Sequence, residues 1–328
     1  MVIIFLVIGF ILGDIKIELG TYSPQASTKT VVKQLGNLQD IQGEFFRSPG
    51  ESLDKELGYF LATQKNLDLW TYEFTQKDFK SALKTLASNE VNIRIIVENN
   101  KYKQYQNTLK ELSQYFSYQN IQLKSDKQMG TQYTHAKVNL IDSGFIIQTA
   151  NLTHSSFAKN REHFFQSYDT GVWTSLHTIF EKDWNEKIAM KDIHPNLVVC
   201  NINCRGVIEQ LLQSAKQSII IQTQYITDDA LRNILKTKKS LPDLKMLVAD
   251  TDDNDDLVKY FGKDYARKLK KHYNHTKMIL IDHKILLLGS MNLSQTSLDE
   301  NREIILLLDP TIIQTFSQQF ADDRKFSE

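Results

Sequence analysis

From residue 48 onward, apolar side chains recur in two alternating rhythms. Short runs and every-second-residue patterns mark strands, and spacings of three and four mark helices. Ser48-Pro49-Gly50-Glu51 has the form of a capping box, with Ser as N-cap and Pro at the first helical position. Leu53, Leu57, Phe60 and Leu61 follow at helical spacing. Beyond them the pattern predicts a strand over 66–74, a helix over 77–86, a strand over 91–97 and a helix over 102–116. Strands over 134–141, 145–149 and 163–168 come next, and a helix over 174–187 closes the series. The second half repeats the plan: helix 207–215, strand 218–225, helix 229–236, strand 244–249, helix 256–271, strands 276–281, 285–288 and 304–308, and a closing helix 311–320.

Strands alternating with helices in two similar series predict an α/β protein of two similar lobes. The seam falls at Ile193-His194-Pro195-Asn196, a proline-marked break, giving lobes over 48–194 and 195–328. The first series carries about eleven extra residues before its third strand group. That stretch, 119–133, reads as a loop near the prospective site and a shaper of substrate choice. Residues 21–47 are polar and Gln-rich and read as a linker.

Met1 to Leu12 contains no charged or polar side chain, and Asp14 and Lys16 end the run. A full membrane span needs about 20 apolar residues, so the segment fits the core of a signal peptide or a short anchor over 1–20. A buried strand is the competing reading. The lack of alternation favours export or anchoring, with a cytoplasmic location otherwise. No basic residue precedes the run, and Lys16, Lys29 and Lys33 follow it.

Apolar residues make up 41% of the 328 and charged residues 24%, a globular composition rather than a disordered one. Lys plus Arg equals Asp plus Glu at 39 each, and zero net charge weighs against a dedicated nucleic-acid binder. Cys200 and Cys204 lack the second pair that a zinc site needs, and read as a small disulfide or as plain buried thiols.

The candidate chemistry is doubled. His-x-Lys-x4-Asp occurs at His135, Lys137 and Asp142, and again at His275, Lys277 and Asp282. Each copy is followed by an Asn (Asn151, Asn292) and by Asn-Arg-Glu ending at Glu162 and Glu303. The histidines are 140 residues apart and the glutamates 141. In a strand, residues i and i+2 share a face, so His and Lys of each copy project together. Asp142 and Asp282 face away and read as anchors at the strand ends. The amides of Asn151 and Asn292 can donate to a phosphoryl oxygen, and Glu162 and Glu303 can fix a histidine tautomer. Face to face, the halves would hold one imidazole as nucleophile and the other as acid, with lysines and asparagines stabilising the developing charge and no metal or cofactor required.

These residues resemble the phospholipase D superfamily, whose signature is His-x-Lys-x4-Asp followed by Gly-Ser-x-Asn. The second copy matches throughout, with Gly289, Ser290 and Asn292. The first has Gln148-Thr149 in place of Gly-Ser and one residue fewer before it, so Thr149 keeps a hydroxyl where Ser290 has one. The resemblance implies two α/β lobes related by a pseudo-twofold axis, a site between them, and a covalent phosphohistidine. Within it His135 is the expected nucleophile and His275 the acid.

Three functional classes follow. The first is a phosphodiesterase that cleaves or transfers phosphatidyl groups at a membrane surface, as in cardiolipin synthesis. The second is a nuclease, motivated by Lys259, Lys263, Arg267, Lys268, Lys270 and Lys271, which read equally as a solvated helix face offset by the aspartates between 250 and 256. The third is a catalytically silent, membrane-tethered binding protein, motivated by Gln148-Thr149. Tyr102, Tyr105, Tyr115, Phe116 and Tyr118 read as core and rim of one helix. The histidines outside the motifs read as surface or capping residues, with His272 alone a candidate for the site mouth. With both half-sites in one chain, a monomer is expected.

Overall fold

The computed structural model describes residues 34–98, 119–126, 129, 131–185, 193–308 and 310–328. Two sheets share one topology. The first contains β1 (Glu44–Ser48), β2 (Asn66–Thr71), β3 (Asn92–Val97), β4 (Ile121–Ser125), β5 (Val138–Ile141), β6 (Gly144–Gln148) and β7 (Asn160–Ser167). Its order is β4-β3-β2-β5-β6-β7-β1. The second contains β8 (Leu197–Val199), β9 (Ser218–Thr223), β10 (Asp243–Ala249), β11 (Ala266–Leu269), β13 (Lys277–Ile281), β14 (Ile285–Gly289) and β15 (Ile304–Leu308), in the order β11-β10-β9-β13-β14-β15-β8. In both, three parallel strands adjoin an antiparallel series at the same place. The two-residue β12 (Tyr273–Asn274) leaves its own lobe and pairs in parallel with β7.

Helices α1 (Ser52–Leu61), α2 (Lys77–Ser88), α3 (His154–Ala158) and α4 (Thr170–Asn185) belong to the first lobe. Those of the second are α5 (Cys204–Ser214), α6 (Asp229–Thr237), α7 (Asp255–Phe261), α8 (Gln295–Asp299) and α9 (Pro310–Arg324). Each sheet buries its outer face under helices of its own lobe, Leu67 and Phe79 in the first and Val207 and Ile221 in the second. The inner faces meet α4 and α9 in a third cluster that includes Trp70, Val138, Phe165, Phe180, Met278, Leu306 and Phe316. Burial on both faces explains why the central strands read as continuous apolar runs. Each such side chain contributes ~1.5–3 kcal/mol by leaving water, which fixes the lobes against one another.

Several expectations are corrected. The capping box at Ser48 does not form: Ser48 ends β1, its hydroxyl donates to the Asn160 carbonyl, and α1 begins at Ser52 with Glu51 as N-cap. Of the linker expected over 21–47, residues 21–33 lie outside the described residues and 34–47 are packed into the fold. Leu35 and Leu38 pack on the second lobe, Ile41 enters the central cluster and Glu44–Ser48 pairs with β7 of the first lobe. Gln34 ties this strap to the seam by donating to the carbonyls of Pro195 and Leu197 at 3.1 and 3.0 Å.

The loop expected over 119–133 contains edge strand β4, and the helix expected over 256–271 stops at Phe261. Leu257, Phe261, Tyr265 and Leu269 recur every fourth residue, which mimics a helix. Gly262 at φ +86° turns the chain out of it, and Ala266–Leu269 becomes edge strand β11. Lys268 pairs with Asp255 and Lys270 with Asp250, so two members of the basic cluster carry their own countercharge.

His163 is fully buried between the lobes, stacked on Phe45 with Nε2 3.1 Å from Gln319 Oε1, rather than at the surface. His194 is buried as well. Cys200 and Cys204 form a disulfide in the second-lobe core. The expected segment 1–20, the helix over 102–116 and its aromatic residues lie outside the described residues. Among the described residues no helix is long and apolar enough to cross a membrane.

Candidate active site

β5 and β13 lie side by side with β2 and β9 at matching places in the two sheets, and each ends on the motif aspartate. Asp142 and Asp282 take left-handed backbone conformations, φ 34° and 50°, which a short polar side chain tolerates. Asp142 accepts the backbone N–H groups of Gln64, Lys65 and Asn66, and Asp282 those of Lys216, Gln217 and Ser218. Burial would raise the Asp282 carboxyl, but its backbone donors outweigh it and hold the group below the usual range. Both aspartates therefore pin a strand end to the start of its neighbour, away from the histidines.

The opposite ends of these strands meet between the lobes. His135 N–H donates to the Arg302 carbonyl at 3.0 Å and His275 N–H to the Arg161 carbonyl at 3.1 Å. The side chains cross in the same way. His135 Nδ1 lies 2.9 Å from both Glu303 carboxylate oxygens, and His275 Nδ1 lies 2.7 Å from Glu162 Oε1. Each imidazole is thus held by the other lobe. Asn301 and Asn160 donate to the same glutamates at 3.2 Å. Thr149 Oγ1 donates to Glu162 at 2.7 Å, and Ser290 hydrogen-bonds Glu303. The hydroxyl shared by Thr149 and Ser290 therefore anchors a carboxylate.

Gly289 is required where it stands, because a Cβ there would lie 2.2 Å from the Ile304 carbonyl oxygen. The corresponding Gln148 is buried beneath α1, beside Glu56.

Both glutamates are fully buried. Burial pushes their carboxyls up, but the facing histidine and the nearby lysine outweigh it and keep them low. Both imidazoles are pushed down, first by burial and then by Lys137 and Lys277, with the facing glutamate opposing; for His275 the result is about 4. An ionised carboxylate facing a neutral ring fixes the proton on Nδ1 and leaves Nε2 as the nitrogen available to a substrate. Burial pushes the Lys137 ammonium down to about 7 and Lys277 to about 8, each opposed by Glu162 and Glu303. Each lysine donates to the carbonyl of its own motif histidine, at 2.8 and 2.6 Å.

His135, His275, Asn151 and Asn292 line one cleft of ≈ 610 Å³ together with Tyr72, Tyr133, Gln224, Tyr225, Asp253 and serines and threonines of the second lobe. Asn151 and Asn292 each leave Oδ1 without a hydrogen-bond partner among the described residues. The Tyr72 ring meets the His135 ring edge-on at 5.1 Å, and Tyr273 stacks near His275 at 6.3 Å. The tyrosines were not singled out from the sequence, although Tyr133 and Tyr273 both stand two residues before a motif histidine. His272 is not among the described lining residues. A separate depression of ≈ 590 Å³ between α6 and α7 is lined by Asp229 and Asp256 against Arg232, Lys236 and Lys259, with no histidine among the described residues that line it.

Paired imidazoles, paired ammonium groups and one cleft, built by two copies of one α/β lobe, define a duplicated fold with a single composite site. The sequence profile described as cardiolipin synthase, PLD-like domain, matches residues 59–184 and 208–324, and the chain belongs to this phospholipase D-like family. Cardiolipin synthase A of Buchnera aphidicola subsp. Baizongia pistaciae is 24% identical over 175 residues, 42% of this chain and 36% of the relative. The match thus spans little more than a third of that curated relative's length. Among solved structures, phosphatidylserine synthase of Haemophilus influenzae Rd KW20 superposes with a TM-score of 0.71 at 14% identity, over 92% of this chain and 91% of that one. Polyphosphate kinase of Porphyromonas gingivalis gives 0.67 at 14% identity, over 92% and 53%. At this identity both likenesses speak for the fold, two α/β lobes of similar topology.

Proposed function

We propose that the protein is a metal-independent phosphodiesterase or phosphatidyl transferase acting on phospholipid headgroups through a phosphohistidine. One observation carries the reading: two neutral imidazoles, each oriented at Nδ1 by a buried carboxylate of the opposite lobe, line the same cleft, with the buried ammonium of the lysine two residues on bonded to each histidine's carbonyl behind it. His135 Nε2 attacks phosphorus. His275 takes up a proton as the anionic diester enters and delivers it to the departing headgroup oxygen, and it then deprotonates the water or alcohol that attacks phosphorus and releases His135. Lys137 and Lys277 stabilise the equatorial oxygens electrostatically, and Asn151 and Asn292 do so through their amides. The phospholipid assignment draws support from the family's description and from the cardiolipin synthase relative. Charge on Lys268 and Lys270 is countered locally, so no specific observation favours a nucleic acid. Thr149 keeps its carboxylate contact, which supports a working site over a silent one.

Purified protein given labelled phosphatidylglycerol or plasmid DNA, each in chelator, tests this. Headgroup release or transfer from lipid is expected; cleavage of DNA alone overturns the substrate, and a need for divalent metal overturns the mechanism. The pH profile supplies an independent check. A lysine whose pKa is lowered is charged only below that value, so the free site loses both ammonium charges as pH rises through about 7 to 8. The value of kcat/KM for an anionic diester is expected to fall across that window. A profile flat up to the ordinary lysine range near 10 contradicts it.

A further inference from the structure

The middle residue of each Asn-Arg-Glu tripeptide has no part in the chemistry above, yet both arginines are buried between the lobes. The Arg161 Nη2 donates to Asp323 Oδ1 at 2.8 Å, and its Nε lies 2.8 Å from Oδ2 with the N–H pointing off that axis. The Arg302 Nη2 donates to Asp183 Oδ1 at 3.0 Å. Asp323 sits on α9 of the second lobe and Asp183 on α4 of the first, so each arginine reaches a closing helix of the lobe opposite its own. Matching neighbours complete the arrangement: Gln222 donates to Asp323 from β9, and Trp70 Nε1 donates to Asp183 from the equivalent place on β2. The carbonyl of each arginine also accepts the N–H of the opposite lobe's motif histidine.

We propose that Arg161 and Arg302 are reciprocal interlobe latches, positioning residues that hold the opposite histidine in register with the glutamate next to them. Arg161 grips the second lobe at His275 N–H and at Asp323, and so sets the Glu162–His275 contact. Arg302 grips the first lobe at His135 N–H and at Asp183, and so sets the Glu303–His135 contact. Buried ion pairs add little net stability over apolar replacements, and their best-attested use is to fix register. A displacement near 1 Å at a reacting group costs on the order of 100-fold in rate.

The latch rests on the proposed chemistry for its kinetic readout only. Removing one partner strands a buried charge and threatens folding, so the test neutralises both in the full chain: Arg161→Met with Asp323→Asn, and separately Arg302→Met with Asp183→Asn. The asparagines keep the acceptors that Gln222 and Trp70 use. A histidine Nδ1–H bonded to a buried carboxylate gives a slowly exchanging low-field proton resonance, assignable with His135→Gln and His275→Gln. The first pair is expected to broaden the His275 resonance and spare that of His135, and the second pair to do the reverse. The melting temperature should remain close to the parent's, with kcat down roughly 10- to 100-fold and KM little changed. Two sharp resonances and parental kcat in folded variants overturn the latch, as does loss of both resonances together in either pair. If the parent protein shows both resonances and turns over no phosphodiester, the proposed function fails while the selective broadening still tests the latch.

Discussion

His275→Asn is expected to stop turnover and to leave phosphate on His135. Loss of a positioned acid–base group costs typically 10²- to 10⁴-fold, and here the same ring would serve as acid in the first step and base in the second. A diester with a nitrophenolate leaving group needs little acid help, so the first step proceeds while release of the intermediate stalls. The expected result is one burst of nitrophenolate and an acid-labile, base-stable label that maps to His135. Asparagine is chosen because its amide can still donate to the buried Glu162 carboxylate, which separates chemistry from stability. A label on His275 in His135→Asn, with none on His135 in the reciprocal variant, reverses the order of the two rings. Loss of activity without a label in either variant removes the covalent path.

The second large effect is on stability. Glu56 on α1 is fully buried; Asn139 Nδ2 donates to its Oε1 at 2.6 Å, and among the described residues its Oε2 and the Oε1 of neighbouring Gln148 have no hydrogen-bond partner. Burial pushes this carboxyl up to about 8, with the polar neighbours Gln148 and Asn139 opposing. Carried as the neutral acid, Glu56 can donate from Oε2 to Gln148 and satisfy both atoms. The folded pKa exceeds the unfolded value, so from about pH 4.5 to 8 the unfolded chain releases this proton while the folded chain keeps it, and stability falls with rising pH. At about 1.4 kcal/mol per unit, the loss reaches several kcal/mol near pH 8.

Glu56→Gln keeps the acceptor for Asn139 and supplies a permanent donor for Gln148. It is expected to match the parent below pH 4.5 and to exceed it by several kcal/mol at pH 8 in urea unfolding. A gap that does not widen between pH 5 and pH 8 would refute the neutral acid. This polar cluster belongs to one lobe only, since the corresponding second-lobe positions are Ile208, Ile279 and Gly289. It shows how Gln148 is accommodated where the family pattern has glycine.

The sequence by itself determined the α/β class, the duplication, most of the strands and helices, and the two sets of candidate residues. Those features are local or repeated. Apolar periodicity sets an element's type and its buried face, and a motif copied at a spacing of 140 residues betrays a second lobe whatever the packing. Edge strands β4 and β11 escaped because one is half exposed and the other follows a four-residue rhythm that a helix would share; only Gly262 and the pairing with β10 decide it. The strap from Leu35 to Ile41 escaped because three apolar side chains in a Gln-rich segment look like a linker until two cores are there to receive them.

Tertiary structure alone decided who partners whom. Spacing nominates Glu162 and Glu303 as tautomer-setting groups but cannot tell whether each serves the histidine of its own lobe or the other. The answer lies in β12 and Thr134, which cross the interface to pair with Asn160–Arg161 and with Arg302. A backbone exchanged between lobes carries each imidazole to a carboxylate more than a hundred residues away in the chain, and no local pattern records a contact made only when two finished sheets meet.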